Sequence, residues 1–152
     1  MLELKSEFLC EAIGDLDDPQ VIGETPRGIR IIHPVLGGSF KGPKLNGELL
    51  GFGADWVLRY ANGASELDVR ITIRTDDNEY IYCYYRGILD VSLEIMGRIQ
   101  NGEDVNPSEY YFRTTPVFET GSEKYSWLNR IVCVGVGKLE PKKVIYKIYQ
   151  IL

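Results

Sequence analysis

The segment "ELDVRITIRTDDNEYIYCYYRG", residues 66–87, constrains the fold more than any other part of the chain. Apolar and polar residues alternate on both sides of an Asp-Asp-Asn turn, the pattern of two antiparallel strands. A two-residue turn at Asp77 and Asn78 sets Val69 opposite Arg86 and leaves a charge on an apolar face. A three-residue turn, Asp76 to Asn78 with Asn78 left-handed, instead pairs Ile73 with Ile81, Ile71 with Cys83 and Val69 with Tyr85. Its other face pairs Asp68 with Arg86, Arg70 with Tyr84, Thr72 with Tyr82 and Arg74 with Tyr80. A slip of one residue exchanges the faces, so the register that keeps one face apolar is selected.

The second face of this hairpin, ions flanked by phenols, admits two readings. Open to water, it is a solvated surface on which an opposed Asp and Arg contribute about 0.2–1 kcal/mol. Turned inward, it lines the hollow of a small barrel that holds one ligand.

Strand patterns dominate the rest. "LELKSEFLCEAIG" alternates, "DLDDPQVIGETPRG" is a loop, and "IRIIHPVLGGSFKG" and "GELLGFGADWVLRYANG" are β-rich between glycine breaks. "SLEIMGRIQNG" predicts the one helix, with Asp90 or Ser92 as cap and Gly102 as stop. Eight or nine strands, one short helix and no repeat imply a single all-β domain over residues 1–152, a sandwich or a closed barrel.

Composition removes several function classes. The 152 residues carry a net charge of −5, with no basic face for nucleic acid. No apolar run approaches the ~20 residues needed to span a bilayer, and "MLELKSEFLCEAIG" lacks the apolar centre of a signal peptide. The expectation is a cytoplasmic protein without membrane or nucleic-acid partners. Cys10, Cys83 and Cys133 are odd in number and sit in strand patterns, which fits reduced, packed thiols. His33, the single histidine, precedes Pro34 at a strand bend; with it alone, neither a metal site nor a Ser-His-Asp triad is expected. "GGSFKGPKLNG" and "GVGK" lack the ending of a phosphate loop, and no cofactor is expected.

Two stretches hold the remaining chemistry. In "YYFRTTPVFETGSEKYSWLNR", residues 110–130, an extended chain puts Tyr111, Arg113 and Thr115 on one side and Tyr110, Phe112 and Thr114 on the other, with Pro116 ending the ladder. Beyond the turn, Tyr125, Trp127 and Asn129 again share a side. Rings with polar tips suit a partly polar organic ligand; the plainer reading is an aromatic belt sealing the barrel, with Arg113 paired to Glu119. In "GADW", Asp55 stands beside Trp56. A carboxyl buried against an indole has its pKa raised and can act as general acid or base, whereas an exposed one merely caps the glycine turn.

The blocks "GGSFKGPKLNGELLGFGADW" (37–56), "LDVRITIRTDD" (67–77) and "YYFRTTPVFETGSEKYSWLNRIVCVGVG" (110–137) resemble the signature of domain-of-unknown-function family three-two-three-seven. "DPQVIGETPRGIR" (18–30) resembles its N-terminal block. Asn78 stands where the family's turn usually has glycine, and Phe52 interrupts what is commonly a glycine pair. The resemblance implies an antiparallel β-barrel, closed or nearly closed, of lipocalin or allene-oxide-cyclase type, that holds a ligand. It also implies a likeness to fungal members that look like cofactor-free cyclases.

Two functions are carried forward. In the first, the barrel is a cofactor-independent cyclase or isomerase. Asp55 or Asp68 moves a proton, Tyr82 and Tyr111 donate hydrogen bonds, and Arg70, Arg86 or Arg113 stabilises an enolate or phenolate. In the second, the same arginines, with Trp56, Tyr84, Glu119, Tyr125, Trp127 and Asn129, hold a small aromatic or anionic molecule without turnover. A structural homo-oligomer needs no pocket at all.

Overall fold

In the computed structural model, which describes residues 2–152, the 66–87 hairpin adopts the three-residue-turn register throughout. Asp68 faces Arg86, Ile71 faces Cys83 and Arg74 faces Tyr80, and Asn78 sits at φ 71°. Asparagine tolerates this left-handed conformation because its short polar side chain bonds locally. The strands are β6 (Ala64–Thr75) and β7 (Tyr80–Asp90).

Around them lie β1 (Ser6–Leu16), β2 (Gln20–Thr25), β3 (Gly28–Lys41), β4 (Gly47–Leu49) and β5 (Ala54–Arg59) before the hairpin. After it come α1 (Leu93–Gln100), β8 (Tyr111–Thr114), β9 (Val117–Glu119), β10 (Val132–Glu140) and β11 (Lys143–Ile151). Ser92 caps α1, its side chain accepting from the Ile95 amide, and Gly102 follows at φ 86°. The pairings β1–β3–β5–β6–β7–β8–β10–β11 return to β1, all antiparallel, and close an eight-stranded barrel. β4 bridges β3 and β6, β9 continues beside β7, and β2 extends β3 as an outlying hairpin.

Closure decides which hairpin face is inside. Leu67, Val69, Ile71, Ile73, Ile81 and Cys83 are buried, with Ile81 fully so. The aliphatic face therefore fills the barrel and the face of ions and phenols looks outward. Burying aliphatic carbon gains about 25 cal/mol per Å², whereas burying unpaired guanidinium groups costs several kcal/mol each.

Large rings fit inside because small residues face them. Phe112 packs edge-to-face on Tyr146, with centroids 5.3 Å apart. A Cβ on Gly137 would lie 2.6 Å from the Phe112 ring, so a glycine is required there. At the end holding the β6–β7 turn, Leu45 and Leu128 seal the interior. Leu128 belongs to a 3-10 turn, Ser126–Arg130, where the sequence pattern predicts a strand. Tyr125, Trp127 and Asn129 therefore do not share a strand face. Cys10, Cys83 and Cys133 are free and buried, and no described helix is long and apolar enough to cross a membrane.

Candidate functional site

The two ends of the barrel differ. Toward the β2–β3 hairpin, inward-facing residues keep access to solvent: Ile31, His33 and Asp55 are half-buried, and Val21, opposite Ile31, is exposed. The segment after β7, carrying α1, covers this end on the β7 and β10 side with Val91, Ile99, Val105 and Tyr110. On the β2–β3 side the inward-facing Ile29 and Ile31 are only half-buried and form an apolar rim.

Asp55 lies below that rim. In the β3–β5 and β5–β6 ladders it stands opposite His33 and Val69, and so faces inward with them. The β5–β6 pairing lapses after Asp55 and resumes at Leu58. The carboxylate fills the lapse, Oδ1 accepting the Asp68 amide at 3.1 Å. Burial in the barrel raises the Asp55 pKa from 3.8 to about 7; the Asp68 amide opposes the rise and the Asp68 charge adds to it.

Two phenols share the interior with the carboxyl, near enough for its charge to act on them. Tyr85 Oη donates to Tyr146 Oη at 3.0 Å, the rings edge-to-face at 5.5 Å. Burial is the main cause holding both phenols well above their usual pKa, and the Asp55 charge raises both further. Both are therefore protonated donors at neutral pH. His33 is pushed the other way, its pKa lowered by burial, so it is neutral there. Beneath the phenols lies an apolar cavity of about 40 Å³, bordered by Cys10, Ile71, Cys83 and Phe118. Among the described residues no group of three or more His, Cys, Asp or Glu side chains is arranged to hold a metal ion.

Of the four residues expected to move or donate protons, Asp55 alone faces the interior. Asp68, Tyr82 and Tyr111 alternate outward with Arg70, Tyr84, Arg86 and Arg113, a correction to the expectation of a lined cavity. Arg86 pairs with Glu66 at 2.8 Å and not with Asp68, and Tyr82 stacks on Tyr84 at 5.2 Å. Arg113 lies over the Tyr111 ring at 5.2 Å and forms no pair with Glu119, which is exposed opposite Tyr82. Trp56 is on the outer wall, so the indole beside Asp55 in sequence is not what raises its pKa.

Three further residues hold the closed end together. Tyr125 Oη donates to Asp77 Oδ1 at 2.8 Å, and Asn129 exchanges two hydrogen bonds with the Thr120 backbone. Trp127 packs on the core with the Lys44 ammonium 5.8 Å above its ring. Sequence reasoning missed Tyr85, Tyr146 and His33 as site residues. The hairpin register carried the signal for one of them, since it put the Tyr85 phenol on an otherwise apolar face.

Residues 4–151 match the family described as "Protein of unknown function (DUF3237)". The chain belongs to this family. DUF3237 relatives include UPF0311 protein RPA1785 of Rhodopseudomonas palustris, 37% identical over 99% of this chain and 97% of its own. A UPF0311 protein of Clostridium acetobutylicum is 37% identical over 98% and 95%. The crystal structure of RPA1785, titled a conserved protein of unknown function, superposes with a TM-score of 0.93 over all of both chains at 33% identity. A "beta-barrel like protein" of Acinetobacter baumannii superposes at 0.86 with 38% identity, covering 99% and 97%. An enzyme of Penicillium herquei superposes at 0.73 with 23% identity over 98% and 95%, a likeness of fold. This DUF3237 chain is thus an antiparallel β-barrel of a family whose description assigns no activity.

Proposed function

We propose that the open end of the barrel takes a small organic molecule and that Asp55 moves a proton on it without a cofactor. The observation that carries this reading is the Asp55 carboxyl, facing inward with a pKa of about 7 into the interior that holds the protonated Tyr85–Tyr146 pair. A group that titrates near neutrality is populated in both forms at working pH, the condition for efficient general acid–base catalysis. As carboxylate, Asp55 accepts a proton from a hydroxyl or an acidic C–H of the bound molecule. The same proton returns to another atom of that molecule, and nothing is oxidised or reduced. Tyr146, whose oxygen accepts the Tyr85 proton and whose own proton is free, donates a hydrogen bond to the oxygen on which negative charge develops. Ring closure, isomerisation and tautomerisation are the reactions that fit. The apolar approach over Val21, Ile29 and Ile31 favours a substrate with a hydrocarbon or aromatic body.

The test pairs native mass spectrometry with the Asp55→Asn variant. Protein incubated with a metabolite extract of its source cells is expected to deplete one compound as wild type. The variant is expected to retain that compound bound and unconverted. If both retain it unchanged, the barrel is a binding module without turnover.

A further inference from the structure

The arginines and rings that face outward converge on a second concave surface. A groove of about 640 Å³ crosses the outer wall where β7, β8 and β10 meet. β8 pairs with β10 at two positions alone, Thr114 with Gly135 and Arg113 with Val136. The groove opens where that ladder stops, between Arg86, Thr115 and Val134. Pro116 sets the limit, because a residue without an N–H cannot extend the pairing.

Two guanidinium groups border the groove, and each is held in place. Arg113 lies over the Tyr111 ring at 5.2 Å and its Nη1 donates to the Phe112 carbonyl at 2.8 Å. It is in no ion pair among the described residues. Arg86 is held from one side by Glu66, at 2.8 Å, and Glu66 also accepts the Tyr60 hydroxyl. Two arginines against one glutamate leave the groove one positive charge. Tyr111 and Ile88 stay exposed beside them, 53% and 42%. Wet apolar surface next to a fixed, unpaired guanidinium is the arrangement that binds a molecule with an anionic head and an apolar body.

We propose that this outer groove binds a small carboxylate or sulfonate with an aromatic or aliphatic body. The anion sits on Arg113 and Arg86, and the body lies on Tyr111 and Ile88. The site is separated from Asp55 by the barrel wall, since Arg86 and Arg113 alternate outward while Tyr85, Phe112 and Thr114 alternate inward.

The test is a titration of the full chain with 2-naphthoate, read on backbone amides by NMR. Saturable shifts are expected at residues 86–88 and 111–115, weakening with salt as a charge-driven contact must. Arg113→Gln is expected to weaken binding about tenfold or more, the loss of a charge-assisted hydrogen bond. Asp55→Asn is expected to leave it unchanged, which keeps this outcome independent of the interior acid–base reading. If Arg113→Gln fails to fold, Arg86→Gln carries the same expectation. The proposal is overturned if the arginine variants bind as wild type does, or if the shifts fall at residues 29–33 and 55. Shifts at the groove that follow protein concentration without the probe also overturn it, because the groove would then be a contact between copies of the chain.

Discussion

Tyr85 and Tyr146, 61 residues apart in the chain, meet inside the barrel with their hydroxyls 3.0 Å apart. They tie β7 to β11, strands that share no ladder, and leave the Tyr146 proton free in the interior that Asp55 also faces. Replacing Tyr85 with Phe removes the donor and is expected to cost about 0.5–1.5 kcal/mol. In a double-mutant cycle with Tyr146→Phe the two losses are expected to be less than additive, because one bond is lost in either variant. Urea denaturation measures this; additive losses would mean that the hydroxyls do not interact.

Asp55 gives the fold a pH dependence of definite sign. Its folded pKa, about 7, lies above its ordinary 3.8, so the folded chain binds the proton more tightly than the unfolded one. The carboxyl's contribution is fully present below about pH 4, falls as pH rises toward 7 and is flat above. Roughly 2–4 kcal/mol is lost across that window, at about 1.4 kcal/mol per pKa unit with allowance for the residual solvent access of the site. Asp55→Asn stays neutral and still offers an oxygen to the Asp68 amide. It is therefore expected to match wild type near pH 4 and to be more stable at pH 8, as thermal melts at the two pH values would record.

Phe52 holds φ 146° with its side chain fully exposed, between Gly51 and Gly53. This backbone region is essentially reserved for glycine, at a cost of about 1–3 kcal/mol for other residues. No packing compensates, so Phe52→Gly is expected to raise the unfolding free energy by about 1 kcal/mol, and the midpoint with it, in spite of the glycine's greater chain entropy. An unchanged or lower midpoint would show that the ring does something for the folded chain.

The three thiols face the interior, and burial raises the pKa of Cys10 to about 12 and that of Cys133 to about 11, with Cys83 also pushed up. Thiolate chemistry is suppressed in such surroundings. A disulfide-exchange reagent is expected to label none of them in native buffer and all three in guanidinium chloride. Rapid labelling of the native chain would show that the barrel opens on the time scale of the assay.

The hairpin was legible in the sequence because its period of two, its turn chemistry and the cost of burying arginine all selected one register. Gly102 marked the end of α1 just as directly, whereas Asp90 and Ser92 both fitted its start and Ser92 is the cap. Register, however, specifies which residues share a face without specifying which face is enclosed. That follows from closure through β1, β8, β10 and β11, pairings as remote in sequence as Ser6 with Ile151. Tyr111 and Arg113 of "YYFRTTPVF" thus lie outside although the alternation of the segment is as expected. The 3-10 turn at Ser126–Arg130 was hidden because Tyr, Trp and Leu there fit a strand as well as a plug. Asp55 was legible as a candidate while the cause of its pKa was not. Trp56, its neighbour in sequence, points away, and the residues that share the interior with it, His33, Val69, Tyr85 and Tyr146, come from four other strands.

The central claim, a carboxyl inside the barrel that titrates near neutrality, is tested most directly by following the Asp55 side-chain carbonyl carbon by NMR through pH. Comparison with Asp55→Asn assigns the resonance. A midpoint near 7 is the predicted result. A midpoint near 4, the ordinary range of an aspartate in water, would contradict the account.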